Sequence, residues 1–414
     1  MTIRDNRTEI EFPWQTNLYI LWVAQFIAMI GMSACVPFLP LYVRELGVIN
    51  LAQAQLWSGI IYAAPFFLAV IVTPIWGALS DGKYGKKLMV VRAILGLAIA
   101  MFLMGFAQNI WHLLFLRVLQ GGISGFIAAS LALVSASAPE KQSGYAISLM
   151  QTSISCGAMV GPFFGGILAD HCGVRRVFLI VSILCCISAV IIIRFVREKK
   201  SPPSNQHHNS VWDNLQFMVQ APFLRRLLLF IMLCQAGAVL FTPILPYYLE
   251  ALHAPAEYLG TITGSMTGIV GLLTTICAPV WGKRTDRKGY AATLKIALPC
   301  ISISLLLQSL ATWYWQLFPL RVMMGIFSGA VVPILYAALS KNSPPEIRGG
   351  IMGLASSSTL MGNLIGPLTG SWIAFHWGMH ATFVVSSMLI FVVFLGIMLP
   401  QAEGKTTVAT SLVK

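Results

Sequence analysis

The feature that most constrains this chain is a succession of long apolar stretches separated by short polar ones. A membrane-crossing helix needs about 20 mainly apolar residues. The sequence holds twelve such stretches, at 17–42, 55–79, 88–107, 110–137, 144–168, 176–195, 224–249, 257–281, 291–311, 314–340, 348–372 and 380–400. Of 414 residues, 57% are hydrophobic and 10% charged. A soluble domain carries about a quarter charged residues. So small a charged fraction cannot cover a water-exposed surface, and so apolar a chain is not disordered. The fold class expected is an all-α membrane protein with twelve transmembrane helices. The polar opening through Thr16 is followed by an apolar run too long for a signal h-region, so the first stretch is expected to stay as a helix.

Orientation follows from the basic residues, which collect in cytoplasmic loops. With an internal N-terminus, 22 of the 27 Lys and Arg fall on the cytoplasmic side and 3 on the other, leaving Arg117 and Arg321 inside helices. Both termini are therefore expected in the cytoplasm, and the net charge of +13 reads as topology rather than nucleic-acid binding. The polar segment 196–223 reads as a linker. The organisation expected is a tail at 1–16, a six-helix bundle at 17–195, that linker, a second bundle at 224–400 and a tail at 401–414.

The two bundles repeat one another. Gly31, Pro37, Pro40 and Tyr42 recur as Gly237, Pro243, Pro246 and Tyr248, and Pro74-x-Trp76-Gly77-x3-Asp81 as Pro279-x-Trp281-Gly282-x3-Asp286. Arg117-Val118-x2-Gly121 recurs as Arg321-Val322-x2-Gly325, and the Gly157, Gly161-Pro162, Gly165 pattern as Gly362, Gly366-Pro367, Gly370. A fifth pair, His171-x-Gly173 with His376-x-Gly378, keeps the same offset of 204–206 residues. Duplicated bundles of this kind place a binding site between the halves, near the bilayer midplane.

Four groups of residues stand out within this frame. After the second stretch, Gly77, Asp81, Gly85, Lys86 and Lys87 put a carboxylate at a helix end beside basic residues, and Asp286 and Arg287 repeat it. The cluster is either topogenic charge on a tight turn or a latch that holds the cytoplasmic side closed. Arg117, with Gln120 beside it, is a charge inside a membrane helix, which is costly and points to function unless it snorkels to the interface; Arg321 is its counterpart, with Met324 in place of the glutamine. Gly157, Gly161, Pro162, Gly165 and Gly166 make a small-residue face that suits close packing, a bend, or both. Pro37 and Pro40 are a second hinge candidate. Gln25, Met29, Tyr62, Gln151, Gln235, Tyr336 and Asn363 are candidates to line a cavity, although each polar one could equally bridge two helices.

Enzymatic chemistry finds no support. No phosphate-binding GxxxxGK[ST], no HExxH and no zinc spacing occurs, and no metal or cofactor is expected. His208 and Asp213 lie in the polar linker without supporting residues. The eight cysteines show no CxxC and read as small hydrophobes.

The loop at Asp81, Arg117-x-x-Gln120-Gly121 and Gly161-Pro162-x-x-Gly165-Gly166 together resemble the major facilitator superfamily, in its twelve-helix drug:proton antiporter branch. Val36–Tyr42, Gly105–Trp111 and Arg197-Glu198-Lys199 are similar to multidrug efflux members of the bacterial inner membrane. The resemblance implies proton-coupled efflux of small amphipathic drugs by alternating access, with the loop residues gating the cytoplasmic side and Arg117 linked to coupling. It further implies a functional monomer whose partners are substrate, protons and the bilayer. The competing reading is a transporter of a specific metabolite such as a siderophore, sugar or amino acid. Two departures are visible. The loop reads Asp81-x3-Gly85, one residue longer than the family's spacing, which Asp286 to Gly289 keeps. All 14 acidic residues fall in loops, tails or helix ends, so Asp81, Asp170, Glu45 and Glu250 are the nearest candidates to carry a proton. Such scarce intramembrane charge suggests an uncharged or cationic-aromatic cargo rather than a strongly anionic one.

Overall fold

The structure, a computed structural model, describes residues 14–81, 85–123, 125–139, 142–198, 221–344 and 348–399. The tails, most of the expected linker and with it His208 and Asp213 lie outside the described residues. Among those described, all regular structure is helical.

Twelve spans follow in order. Spans 1 to 6 are Trp14–Glu45, Leu51–Asp81, Lys86–Gly105, Ile110–Ile123 with Phe126–Ser137, Ser143–Cys172, and Val174–Phe195. Spans 7 to 12 are Pro222–Ala251, Leu259–Lys288, Tyr290–Ser309, Leu317–Ser328 with Val331–Lys341, Arg348–Trp377, and Met379–Met398. Ten stretches of described residues are apolar and long enough to cross a membrane. Span 4 falls short because its helix is interrupted at Gly125, whose φ of +113° is the left-handed conformation that glycine tolerates. Span 11 is long, at 30 residues, but diluted by Ser356, Ser357, Ser358, Thr359 and Asn363.

Two apolar cores form. One gathers spans 1 to 6 around residues such as Tyr42, Ile94, Met101 and Phe178; the other gathers spans 7 to 12 around Tyr248, Leu298, Leu335 and Phe383. Tyr247 of span 7 is the exception, since its ring is buried in the first core. Spans 1 and 7 share one irregularity. Each passes from α-helix into a 3-10 turn, at Val36–Phe38 and Thr242–Ile244, and back again. The cause is local: Pro37 and Pro40, and again Pro243 and Pro246, withhold two N–H donors just where the helix would continue.

Candidate functional site

The halves meet along two seams, span 5 on span 8 and span 2 on span 11. Both are close contacts made by glycine. A Cβ on Gly166 would lie 2.5 Å from the Gly260 carbonyl oxygen, and one on Gly59 would lie 2.5 Å from that of Pro367. Gly264 packs in the same way on the Pro162 carbonyl.

Polar contacts close the same end of the bundle. Asp170, near the end of span 5, accepts hydrogen bonds from the backbone N–H of Gly260 at 2.8 Å and of Thr261 at 2.6 Å. Those N–H groups open span 8, so the carboxylate sits on the positive end of a helix dipole. Arg44 of span 1 pairs with Glu250 of span 7 at 2.5 Å. The Tyr247 hydroxyl donates to Pro40 O at 2.7 Å and lies 2.9 Å from Ser58 Oγ. Ser58, Gly59, Tyr247, Gly260 and Gly264 were not singled out by motif. The Gly260, Gly264, Gly268 stripe was the available signal, at the four-residue spacing that marks helix contact.

The opposite end is open. Gln151 and Thr152 of span 5 and Ser356 of span 11 are exposed there, together with Ile71 and Ile75 of span 2 and Ile276 and Val280 of span 8. The Thr152 and Ser356 hydroxyls are bonded to carbonyls of their own helices, at Leu149 and Met352, whereas an exposed amide such as that of Gln151 is accommodated without penalty where it meets water.

The intramembrane arginines are both held inside the protein, not at its surface: Arg117 is 5% exposed and Arg321 is 3%. Arg117 donates from Nε to Ile61 O at 3.1 Å and from Nη1 to Gln120 Oε1 at 2.7 Å. Ile61 can accept because the residue four positions on is Pro65, which has no N–H to return to it. Gly121 lets spans 2 and 4 approach at that point, since a Cβ there would sit 2.7 Å from Pro65 Cα. Tyr62 and Cys35 lie beside the guanidinium, and Tyr62 also faces Thr242 of span 7. Arg321 has none of these acceptors. Its guanidinium carbon lies 4.6 Å from the centroid of the Phe241 ring, and Nε and Nη2 are buried with no hydrogen-bond partner.

The glycine–proline segment of span 5 lies in an uninterrupted helix, Ser143–Cys172. Gly157, Gly161 and Gly165 face span 1: a Cβ on Gly157 would lie 2.5 Å from Met29 Cβ, one on Gly161 would lie 2.5 Å from Ile30 O, and one on Gly165 would lie 2.8 Å from Ala34 Cα. Pro162 and Gly166 face span 8. The segment therefore packs span 5 on two neighbours at once, while the 3-10 breaks shared by spans 1 and 7 lie at Pro37 and Pro40 and at their counterparts.

The cavity candidates separate. Gln151 is exposed at the open end and Tyr62 is partly buried. Gln25 is 1% exposed, with neither end of its amide bonded, and Met29 is buried. Gln235 donates to Asn363 Oδ1 at 2.9 Å, bridging spans 7 and 11, and Tyr336 meets Thr359 at 2.8 Å, bridging spans 10 and 11.

At the loop after span 2, the surroundings of Gly77 and the side chain of Asp81 are not among those described. A carboxylate does cap span 3, but it comes from Glu198, just past span 6: it accepts from Lys86 N at 2.8 Å and Lys87 N at 3.0 Å. Gly85 admits it with a φ of +76°. Lys87 Nζ then donates to Ile193 O and Val196 O at 3.0 and 2.7 Å. Lys87 and Glu198 thus bind spans 3 and 6 of one half together. Asp286 and Arg287, at the end of span 8, are exposed.

Two six-span cores joined along glycine seams, with one end closed by polar contacts, are the architecture of a secondary transporter. The chain matches the family model for the Major Facilitator Superfamily over residues 21–255 and 227–411, and it belongs to that superfamily. It is 36% identical over 378 residues to the Multidrug resistance protein MdtG of Proteus mirabilis, covering 91% of this chain and 94% of that one. It is 34% identical over 383 residues to MdtG of Salmonella typhimurium, covering 92% and 95%. Among solved structures it resembles the nucleoside transporter NupG, with TM-score 0.74, 11% identity and coverage of 92% and 98%. It also resembles a bacterial homologue of the lysosomal transporter Spinster in an inward-facing, unoccupied conformation, with TM-score 0.73, 16% identity and coverage of 94% and 98%. At such identities these two likenesses speak to the fold.

Proposed function

We propose that the chain exports small amphipathic drugs across a bacterial inner membrane in exchange for protons. One observation carries this reading: 36% identity to a multidrug resistance protein along 91% of the chain. The basic-residue count supports cytoplasmic termini, and on that orientation the open end described above faces the cytoplasm. The structure is then the loading state, with a closed periplasmic end made by Asp170, Arg44–Glu250 and Tyr247. The two bundles, 17–195 and 224–400, rock about the glycine seams, and Pro37 and Pro40 bend span 1 as they do. Arg117 and Gln120 are the coupling element. Asp81, Gly77, Gly85, Lys86, Lys87, Asp286 and Arg287 form the cytoplasmic gate in the opposite state. The chain acts as a monomer and is not an enzyme.

Among the acids proposed to carry a proton, Asp170 fits a latch better than a carrier. Its charge holds the periplasmic end closed, so protonation there loosens the cytoplasm-facing state. An antiporter needs the reverse, because the incoming proton has to drive the return to the cytoplasm. Dye export by reconstituted vesicles, with and without an imposed pH gradient, tests the whole reading. Export that stops when the gradient is collapsed is the expected result, and export indifferent to the gradient would refute antiport.

A further inference from the structure

The two intramembrane arginines occupy equivalent places in the two halves, yet their surroundings are opposite. Around Arg117, Ile61 O and Gln120 Oε1 accept from Nε and Nη1. At the repeated positions every one of these provisions is lost. Pro65 is replaced by Val270, whose N–H occupies the Met266 carbonyl that an arginine would otherwise reach within the helix Leu259–Lys288. Gln120 is replaced by Met324, and Tyr62 by Thr267, whose hydroxyl is spent on Thr263 O at 2.9 Å. The backbone frame itself is kept: a Cβ on Gly325 would lie 3.1 Å from Val270 Cα, as Gly121 packs on Pro65. Arg321 is therefore the same arginine in the same fold with its acceptors removed.

A buried guanidinium with two unpartnered nitrogens is expensive, and a carboxylate is the acceptor that matches its geometry best. No acid of this chain lies within a span's interior, as all 14 are at ends, in loops or in tails. The membrane interior of the protein thus carries two positive charges and no negative one, a field that repels a cationic cargo and attracts an anionic one. The cover over Arg321 is Phe241, and Phe241 sits at the break in span 7, immediately before the 3-10 turn Thr242–Ile244. Broken helices beside a midplane site are where transporters admit substrate. When span 7 moves, the ring that shields Arg321 moves with it.

We infer that Arg321 is the specificity residue for cargo, and that the transporter favours amphipathic molecules carrying a carboxylate or similar acid group, held by Nε and Nη2 beside the Phe241 ring. This rests on the export reading and narrows it, reversing the expectation of uncharged or cationic cargo. It also divides the arginines: Arg117 is internally satisfied, and Arg321 awaits the acid.

The test uses the full chain in detergent and in vesicles, with a fluorescent diethylaminocoumarin carboxylate and its neutral carboxamide as probes. The wild type should bind and export the acid about ten-fold or more in preference to the amide, the strength of a hydrogen-bonded charge pair. Arg321→Gln should bring that ratio close to one through loss of acid binding, and Arg321→Lys should retain part of it. Met324→Gln keeps the arginine but supplies the acceptor that Gln120 gives Arg117, so it should also lower the ratio; it carries the test if Arg321→Gln fails to fold. Equal handling of both probes by the wild type, or an acid preference that survives Arg321→Gln and Met324→Gln, would overturn the assignment while leaving export intact. Displacement of the acid by chloride or inorganic phosphate at low concentration would make this a small-anion site and also overturn it. If neither probe is exported, the export reading fails as well.

Discussion

A single missing N–H organises the chemistry of the first half. Pro65 cannot return a hydrogen bond to Ile61, so that carbonyl is free when Arg117 is laid beside it, and Gln120 completes the shell. Gln120→Leu should leave a buried charge short of one acceptor and destabilise the protein by about 1.5–3 kcal/mol. A lowered thermal midpoint in detergent, at unchanged helix content, is the expected result. The importance of Arg117 was legible in the sequence because a charge in an apolar run is conspicuous. Its partner Ile61 was not, because any backbone carbonyl looks alike until a proline four residues on is brought next to a donor. Glu198 was hidden for a similar reason. The sequence places it at the start of a polar linker, and only folding carries it to the first turn of span 3.

At the scale of elements, span 5 is the piece on which most depends, because it packs on span 1 with three glycines and on span 8 across the halves with Pro162 and Gly166. Gly161→Leu would drive a side chain into the Ile30 carbonyl, an overpacking that costs about 1–3 kcal/mol or more. Loss of the monodisperse peak in size-exclusion chromatography is expected. Gly144→Ala in the same helix meets nothing within 4 Å and should leave the protein as stable or slightly more so. The repeat of the glycine–proline pattern in span 11 was readable as a small-residue face, but its division between two partners was not. The same helix surface serves either purpose, and the choice is made by which helices lie alongside. Asp170 belongs to this scale too, as the charge that ties span 5 to the start of span 8. Asp170→Asn should weaken that tie by about 1 kcal/mol, a shift of roughly five-fold toward the state open at this end. Spin labels on the ends of spans 5 and 8 would report it as a growing population of long distances.

For the whole molecule, the proposed mechanism requires the contacts that join the halves at the closed end to break in every cycle. Arg44→Cys with Glu250→Cys, in a background without other cysteines, places two thiols where an ion pair of 2.5 Å now bridges spans 1 and 7. A short thiol cross-linker should abolish export, and reductive cleavage of that linker should restore it. Continued export by the cross-linked protein would mean that this end need not open.

By itself, the sequence determined that this chain crosses a membrane in twelve helices arranged as two related halves. Apolar transfer and the siting of basic loops depend on composition along the chain, and a duplication leaves its spacing in plain view. The tertiary structure decided which end is closed, which glycines are seams and which arginine is satisfied. Those outcomes depend on pairs of groups far apart in sequence: Asp170 with Gly260, Tyr247 with Pro40, Arg117 with Ile61. The cost of burying each one is set by whether the fold delivers its partner.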